Sequence, residues 1–216
     1  MQRSSKKSIS SLAYQSLEPR KLLVADFISG NLFIEGTDGN DAISIIQSTD
    51  AATIEILSNN VSVNQFTANQ IEQVTFLGGD GDDSLQLVGF TSTLLQELTF
   101  DGGAGNDRLE FTDGTDIELS VFQFTGGEGN DVLNGTDSSL DLMRNFFNPE
   151  VFSGGAGDDF LDISFLSPTS TAEVTLEGGA GNDVLIGSNN EDEIIGGDGD
   201  DLIFARGGED LSLIHI

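Results

Sequence analysis

The chain has 216 residues and carries 37 acidic residues against 8 lysines and arginines, which gives a formal charge of −29. This length allows one ordinary domain or a short run of repeats, and the absence of cysteine excludes disulfides and thiolate metal sites. So acidic a chain repels nucleic acids and anionic membranes and attracts cations. Because the sequence also contains no run of about 18 apolar residues, we expect no nucleic-acid partner and no insertion into a membrane.

The first 27 residues form a basic, serine-rich segment without the apolar core of an ordinary signal peptide. Residues 17–26 read Leu-Glu-Pro-Arg-Lys-Leu-Leu-Val-Ala-Asp. This stretch resembles the LEPR-XLL motif, a short domain that opens many very large, repeat-rich exported proteins of Gram-negative bacteria, planctomycetes among them. The resemblance implies that residues 1–27 are an export-type segment, which we expect to be disordered. It also implies that the protein is extracellular or on the cell surface.

Residues 28–77 predict a capping β region at the start of the body. Residues 36–43 read Gly-Thr-Asp-Gly-Asn-Asp-Ala-Ile, a degenerate first copy of the loop that recurs further along the chain. Strand-like alternation of apolar and polar residues occurs over residues 42–47, 53–57 and 61–66. Because Asn59-Asn60 reads as a turn, we expect a capping coil with an inserted hairpin, followed by a single helical turn within residues 67–73.

Five copies of a Gly-Gly-x-Gly-x-Asp-x-Leu unit dominate the rest of the chain, at residues 78–85, 102–109, 126–133, 154–161 and 178–185. Their starts are 24, 24, 28 and 24 residues apart, and the longer interval predicts a bulge at residues 143–149. After residue 178 the period falls to nine, with a degenerate copy at 187–194, a complete copy at 196–203 and a remnant at 205–210. Such internal repeats are typical of solenoids, whose coils bury their apolar faces against one another.

The residues that flank the loops keep the same register. A large apolar residue stands two positions before each loop, at Phe76, Phe100, Phe124, Phe152 and Leu176. Four positions before each loop an apolar residue also recurs, with Glu150 as the exception. Two positions after the loop Asp a Leu or Ile recurs, from Leu85 to Ile203. This alternation predicts a strand, a loop and a second strand in every coil. We therefore expect an all-β fold, a parallel β-helix or β-roll solenoid of stacked coils over residues 78–210.

The composition of the loops indicates calcium, which takes six to eight hard oxygen ligands in flexible geometry. Glycines permit positive φ and let consecutive carbonyls turn toward one point, and the Asp adds a charged ligand. Because one loop supplies too few ligands, we expect each site to form between loops of adjacent coils, about 4.8 Å apart. Two bare carboxylates at that distance repel by about 0.9 kcal/mol even in water, so a column of loop Asp residues needs a bridging cation.

Residues 78–210 resemble the hemolysin-type (RTX) calcium-binding repeat, Gly-Gly-x-Gly-x-Asp-x-U-x, in which U is a large apolar residue. The resemblance implies that several calcium ions bind to the loop Asp and to carbonyls of the loop glycines. The implied ligands are Asp83, Asp107, Asp131, Asp159, Asp183, Asp192 and Asp201, with Asp41 and Asp210 from imperfect copies. Most RTX arrays repeat every nine residues, which leaves the pairing of loops and the number of ions open here. Arrays that guide type I secretion lie near the C-terminus, whereas these begin near residue 36, which argues against that role.

Signatures of common enzyme classes are missing from the sequence. It has no P-loop, no dinucleotide fingerprint and no HExxH helix, and its only histidine is His215. We therefore expect no enzymatic activity and predict a calcium-binding scaffold of a large exported or cell-surface protein, folding on calcium binding, with an unidentified surface or matrix partner. One alternative is an accessory repeat region of a secreted hydrolase or lyase whose catalytic domain lies beyond this chain. Another is a carbohydrate-binding or adhesion module, which the absence of Trp disfavours.

Residues 211–216 break the repeat where another strand is due. The segment Leu-Ser-Leu-Ile-His-Ile resembles the translation of a sequencing-library transposon end. We therefore expect a non-native tail here, and a natural protein that continues beyond Asp210.

Overall fold

The computed structural model describes residues 24–91, 95–112, 115–136, 150–170 and 173–213, and the backbone of residues 139–142. Regular structure in these residues is β-strand, with one 3-10 turn at Ala68–Gln70. In chain order the strands are β1 Val24–Ile28, β2 Asn31–Glu35, β3 Ala42–Gln47, β4 Thr53–Ser58, β5 Val61–Thr67, β6 Gln73–Asp80, β7 Ser84–Val88, β8 Glu97–Ala104, β9 Arg108–Thr112, β10 Asp116–Leu119, β11 Val121–Glu128, β12 Val132–Gly135, β13 Ser139–Leu142, β14 Glu150–Ala156, β15 Phe160–Asp162, β16 Val174–Ala180, β17 Val184–Ile186, β18 Asp192–Asp198, β19 Leu202–Phe204 and β20 Leu211–Leu213.

The strands form a solenoid with two long faces. Face A has the order β1-β2-β6-β8-β11-β14-β16-β18-β20, and face B has the order β19-β17-β15-β12-β9-β7-β3-β4-β5. Successive coils pair in parallel, and a short third sheet joins β10 to β13, also in parallel. Each coil runs along face A, turns through a glycine-rich loop and continues along face B. The predicted all-β solenoid of stacked parallel coils is therefore confirmed. Among the described residues, no helix is long and apolar enough to cross a membrane.

An apolar ladder fills the interior between the two faces. The column that precedes the loops pairs in register, Phe76 with Phe100 and Phe100 with Phe124. Their rings stack with centroids 5.2 and 5.3 Å apart, which is a favourable separation for aromatic pairs. A matching leucine column lies on face B, where Leu85 pairs with Leu109. All five side chains are buried, so the repeated apolar positions of the sequence do form one continuous core.

The N-terminal end of the solenoid is closed by antiparallel strands. Strands β3, β4 and β5 form a meander, at the three segments where alternation predicted strands. In its second turn Asn59 and Asn60 have φ of 50° and 63°, the left-handed pair that a two-residue hairpin turn favours. Strand β1 pairs with β2 at the end of face A, and the rings of Phe27 and Phe66 lie 4.9 Å apart. This ring contact joins the outermost strands of the two faces.

The two ends of the described chain differ from what the sequence indicated. Strand β1 begins at Val24 and pairs with β2, so residues 24–27 form a strand where we expected disorder. The rest of the basic segment, including most of the LEPR-XLL stretch, lies outside the described residues, as do the expected bulge at 143–149 and residues 214–216. Strand β20 continues face A by pairing with β18. Its alternation is out of phase, however, because Ser212 takes the register position of Ile194 and leaves Leu211 54% exposed.

Phe100→Ala removes a fully buried ring from the middle of the stacked column. We expect this change to lower the free energy of unfolding by about 3–5 kcal/mol, the usual loss for a buried Phe. The matched control is Phe204→Ala, which removes a ring that is 50% exposed on β19 and should cost less than about 1.5 kcal/mol. Urea unfolding in the presence of calcium, followed by circular dichroism, measures both losses. Equal losses for the two variants would contradict the buried column.

Candidate metal centre

The Gly-Gly-x-Gly-x-Asp loops lie where the chain passes between the two faces. Each complete loop follows a strand of face A and precedes a strand of face B, so these loops stack along one edge, the main edge. The predicted ligands on the main edge are Asp41, Asp83, Asp107, Asp131, Asp159, Asp183 and Asp201. Loops 187–192 and 205–210 lead from face B to face A, which places Asp192 and Asp210 on the opposite edge. The nine predicted ligands are thus divided between two columns.

Glycine is required where the loops of adjacent coils come together. Gly79 and Gly81 have φ of 110° and 114°, in a region that side chains rarely adopt. A Cβ on Gly79 would also lie only 2.8 Å from the carbonyl oxygen of Thr37 in the preceding coil. The other complete loops repeat these positive φ values at their second and fourth residues. The glycines therefore let one loop stack directly on the backbone of the next.

A ladder of carboxylates connects the loops of the main edge. The backbone N–H of each loop Asp donates to Oδ1 of the loop Asp in the next coil, at 2.7 Å from Asp41 to Asp83 and at 3.1 Å from Asp183 to Asp201. Hydrogen bonds to an ionised acceptor are stronger than neutral ones. One oxygen of each acceptor carboxylate is therefore used to hold the preceding coil in register.

The second oxygen of these carboxylates is buried and has no hydrogen-bond partner. This is true of Oδ2 in all six complete loops, namely Asp83, Asp107, Asp131, Asp159, Asp183 and Asp201. The first five of these residues are at most 2% exposed. A buried carboxylate oxygen without a donor loses hydration and gains nothing in return. A proton or a bound cation on each of these oxygens would compensate its lost hydration.

Burial also shifts the ionisation of the column toward the protonated form. Burial raises the pKa of Asp83 to about 7, against a backbone hydrogen bond that lowers it and with a contribution from the charge of Asp107. It likewise raises the pKa of Asp159 to about 7 and that of Asp131 to about 6. The pKa values of Asp107 and Asp183 are raised for the same reason. In the absence of metal, ionisation of these buried carboxyls therefore reduces the stability of the fold.

The oxygen atoms beside these glycines fit the preferences of calcium. A Cβ on Gly78 would lie 2.5 Å from Asp83 Oδ2 and would collide with the carbonyl oxygen of Gly102 in the next coil. A carboxylate oxygen and a carbonyl oxygen therefore share the space beside Gly78, and the same pair recurs beside Gly126 and Gly178. No three acidic or histidine side chains converge within the described residues. An ion in this column would thus be held by hard oxygens, most of them backbone carbonyls, as calcium allows.

A second ladder, which the loop pattern did not lead us to predict, runs along the outside of the main edge. Its members directly precede the loop Asp residues: Asn40, Asp82, Asn106, Asn130, Asp158, Asn182 and Asp200. From Asp82 onward, the backbone N–H of each member donates to Oδ1 of the member in the preceding coil at 2.7–3.0 Å. In the inner ladder the N–H donates to the following coil instead. The N–H and amide of Asn106 lower the pKa of the exposed Asp82. The signal in the sequence is the Asn or Asp at this position in all seven main-edge loops.

The two degenerate loops satisfy their Asp in a different way. Thr37 donates its N–H at 2.6 Å and its hydroxyl at 2.9 Å to Asp41 Oδ2. Ser188 donates the same pair of groups, at 2.7 and 2.9 Å, to Asp192 Oδ2. Asp210, which is partly exposed, accepts the N–H of Asp192 at 3.1 Å. The structure therefore places Asp41 and Asp192 in the loop columns, but without the unpartnered oxygen that the complete loops share.

Glu150, the exception in the apolar column, is only 6% exposed. It aligns with Val174, which aligns with Asp192, so it occupies the place of a loop Asp on the opposite edge. Its Oε2 accepts the N–H of Phe122 in the preceding coil at 3.2 Å, as Asp210 accepts that of Asp192. Burial raises the pKa of Glu150. The hydrogen bond to Phe122 explains an acidic residue at this otherwise apolar position.

The metal-free fold should be more stable in mild acid than at neutral pH. A carboxyl whose pKa is raised by folding stabilises the folded state while it is protonated, and this contribution is lost as the pH rises from about 4 to about 7. With a chelator present, we expect more β-structure and a higher unfolding temperature at pH 5 than at pH 8, measured by circular dichroism. Excess calcium should remove this difference, because the ion compensates the ionised carboxylates. Equal or greater metal-free stability at pH 8 would contradict the raised pKa values.

Comparison with known families agrees with this geometry. Four segments of the chain match the RTX calcium-binding nonapeptide repeat, at residues 99–118, 123–139, 150–162 and 175–211. No curated protein and no solved structure matches the chain. The first two loops of the main edge, 36–41 and 78–83, lie outside the matched segments, although they stack in the same column. The matched segments and the stacked parallel strands together indicate a region of RTX-type calcium-binding repeats within residues 99–211, and repeats of this type bind several calcium ions.

Proposed function

We propose that this chain is a calcium-stiffened scaffold segment of an exported or cell-surface protein, and that it folds as calcium fills the main edge. The observation that carries the proposal is the column of six buried Oδ2 atoms without hydrogen-bond partners. The proposed ligands are Oδ2 atoms of the loop Asp residues and carbonyl oxygens of the loop glycines. The Asp residues are Asp83, Asp107, Asp131, Asp159, Asp183 and Asp201. Bound calcium supplies positive charge and a link between adjacent coils. The loop carboxylates then have a structural role, and the proposal includes no catalytic one.

The charge of the chain supports the coupling of folding to calcium. From residue 22 onward there are 36 acidic residues and only three arginines. Arg108 forms an ion pair of 2.8 Å with Glu110, two residues further along its own strand, so its charge compensates a carboxylate outside the loops. Self-repulsion of this size destabilises a compact state. Divalent cations bound along the main edge relieve it along the column of buried carboxylates.

The kind of ligand supports a location outside the cell. Sites with one carboxylate and several carbonyls carry little negative charge per ion, and weak sites of extracellular modules have Kd values of about 10⁻⁴–10⁻³ M. With sites of that affinity the coils of the complete loops would remain incompletely ordered where calcium is scarce and would stiffen where calcium is about millimolar. A spacer that becomes rigid only after export is consistent with the basic LEPR-XLL-like start of the sequence.

A calcium titration of the full chain, followed by far-UV circular dichroism, tests the proposal. We expect a transition to β-structure as calcium approaches about 1 mM, and no such transition with magnesium, which prefers a tight octahedral shell and retains its waters. A chain that is fully folded in chelator at pH 8, and indifferent to calcium, would contradict the proposal. The apolar ladder would then be sufficient to hold the coils.

A matched pair of variants assigns the transition to the loops. Asp107→Asn keeps an amide oxygen for the N–H of Asp83 but removes the charge and one cation ligand. We expect it to raise the calcium midpoint by on the order of tenfold, which corresponds to about 1.4 kcal/mol. Asp116→Asn removes the same charge from an exposed position on β10, outside the loops, and should leave the midpoint nearly unchanged. Equal shifts for the two variants would indicate general charge screening instead of ligation by the loops.

A further inference from the structure

Two loops of the solenoid have a hydroxyl residue where a complete loop has its second glycine. Thr37 follows Gly36 in the first loop of the main edge, and Ser188 follows Gly187 in the first loop of the opposite edge. In both loops the N–H and the hydroxyl of this residue donate to Oδ2 of the loop Asp four positions later, at 2.6–2.9 Å. The same contacts thus occur twice, in separate columns and with different intervening residues.

The hydroxyl is itself held in place by the loop. Thr37 Oγ1 accepts the N–H of Gly39 at 3.2 Å, and Ser188 Oγ accepts the N–H of Asn190 at 3.0 Å. This contact to the N–H two residues further on is a small turn that Ser and Thr favour. The local sequence therefore aims both donors at the carboxylate without help from a neighbouring coil.

Complete loops are built differently at the same position. Their second residue is a glycine at positive φ, for example Gly79 at 110° and Gly103 at 106°, whereas neither Thr37 nor Ser188 has positive φ. The carboxylate is displaced as well. A Cβ on the first glycine would lie 3.2 Å from Oδ2 at Gly36 and 3.1 Å at Gly187, but 2.5 Å or less in the complete loops. In the two degenerate loops Oδ2 is therefore turned toward the hydroxyl residue and away from the space beside the first glycine.

We propose that Thr37 and Ser188 take the place of a calcium ion in their loops, so that Asp41 and Asp192 bind no metal. Their paired N–H and hydroxyl donors satisfy the oxygen that is left without a partner in the six complete loops. This inference rests on the proposed function, since it assumes that the complete loops hold calcium through Oδ2. It limits the ligands to the complete loops and leaves the first coil of the main edge, next to the antiparallel cap, joined to its neighbour without metal. The capped end is then a folded platform on which the calcium-dependent coils assemble.

The substitution Thr37→Gly tests the inference directly, because it restores a complete Gly-Gly-Asp-Gly-Asn-Asp loop at residues 36–41. We expect the full-length variant to bind an additional calcium ion at saturation, counted by native mass spectrometry and equilibrium dialysis, and to be less stable than the unaltered chain in chelator. Thr37→Ser is the matched control, since it keeps both donors and should change neither quantity. An unchanged ion count in Thr37→Gly would overturn the inference.

Two further variants separate this inference from the proposed function. Asp41→Asn should leave the number of bound calcium ions unchanged, whereas Asp83→Asn, one coil further along the same column, should lower it. If both variants lose calcium, the inference is wrong and ligation by the loops stands. If neither loses calcium, ligation by the complete loops is itself wrong, and the inference falls with it.

Discussion

The structure depends on the uneven use of the two oxygens in each loop carboxylate. Oδ1 accepts the N–H of the preceding loop Asp and so fixes the register of the coils, as from Asp83 to Asp107 at 2.8 Å. Oδ2 is buried in the six complete loops and has no partner in the chain. The hydrogen bond that orders the stack therefore also places a charged oxygen where water cannot reach it. We propose that a cation along the loops resolves this conflict, so that the stacking of loops and the binding of calcium are coupled.

The outer ladder separates its carboxylates with Asn residues along the same edge. There Asp82 and Asp158 each lie between Asn residues of adjacent coils, so no two charges are direct neighbours. The Asn side chains donate as well as accept, at 2.8 Å from Asn106 Nδ2 to Asp82 Oδ1. The inner column, by contrast, has Asp in every coil. Asn residues between the Asp residues avoid repulsion in the exposed ladder, whereas uninterrupted Asp in the buried ladder requires a proton or a bound cation.

Much of the fold could be predicted from the sequence because a solenoid repeats one environment in every coil. The constant spacing from Phe76 to the loop and from the loop to Leu85 fixes two strands and their inward faces. Alternation and the Asn59-Asn60 pair predicted the hairpin of β4 and β5, but not strand β1, which pairs with β2 where disorder was expected. The pairing of β20 was harder to predict, because its backbone pairs with β18 while its apolar residues are out of phase.

The site could be predicted only in part, since a motif gives residue types but not which oxygen is satisfied. The position of each loop Asp follows from the repeat, and its division between two edges follows from the order of the strands. The opposite directions of the hydrogen bonds in the two ladders depend on backbone geometry that residue types do not specify. The same holds for the contrast between Oδ2 of Asp41, which Thr37 satisfies, and Oδ2 of Asp83, which has no donor. A substitution of glycine by threonine looks like simple decay of a repeat until the hydroxyl is seen to point at the carboxylate.

The most direct test is a crystal structure of the full chain grown with calcium, in which the anomalous signal locates the ions independently of the protein coordinates. We expect peaks along the main edge, each in contact with Oδ2 of a complete-loop Asp such as Asp107 or Asp131. Calcium found only at the exposed acidic residues, with these Oδ2 atoms bonded to ordered water or to protein donors, would contradict the claim that calcium compensates the buried column.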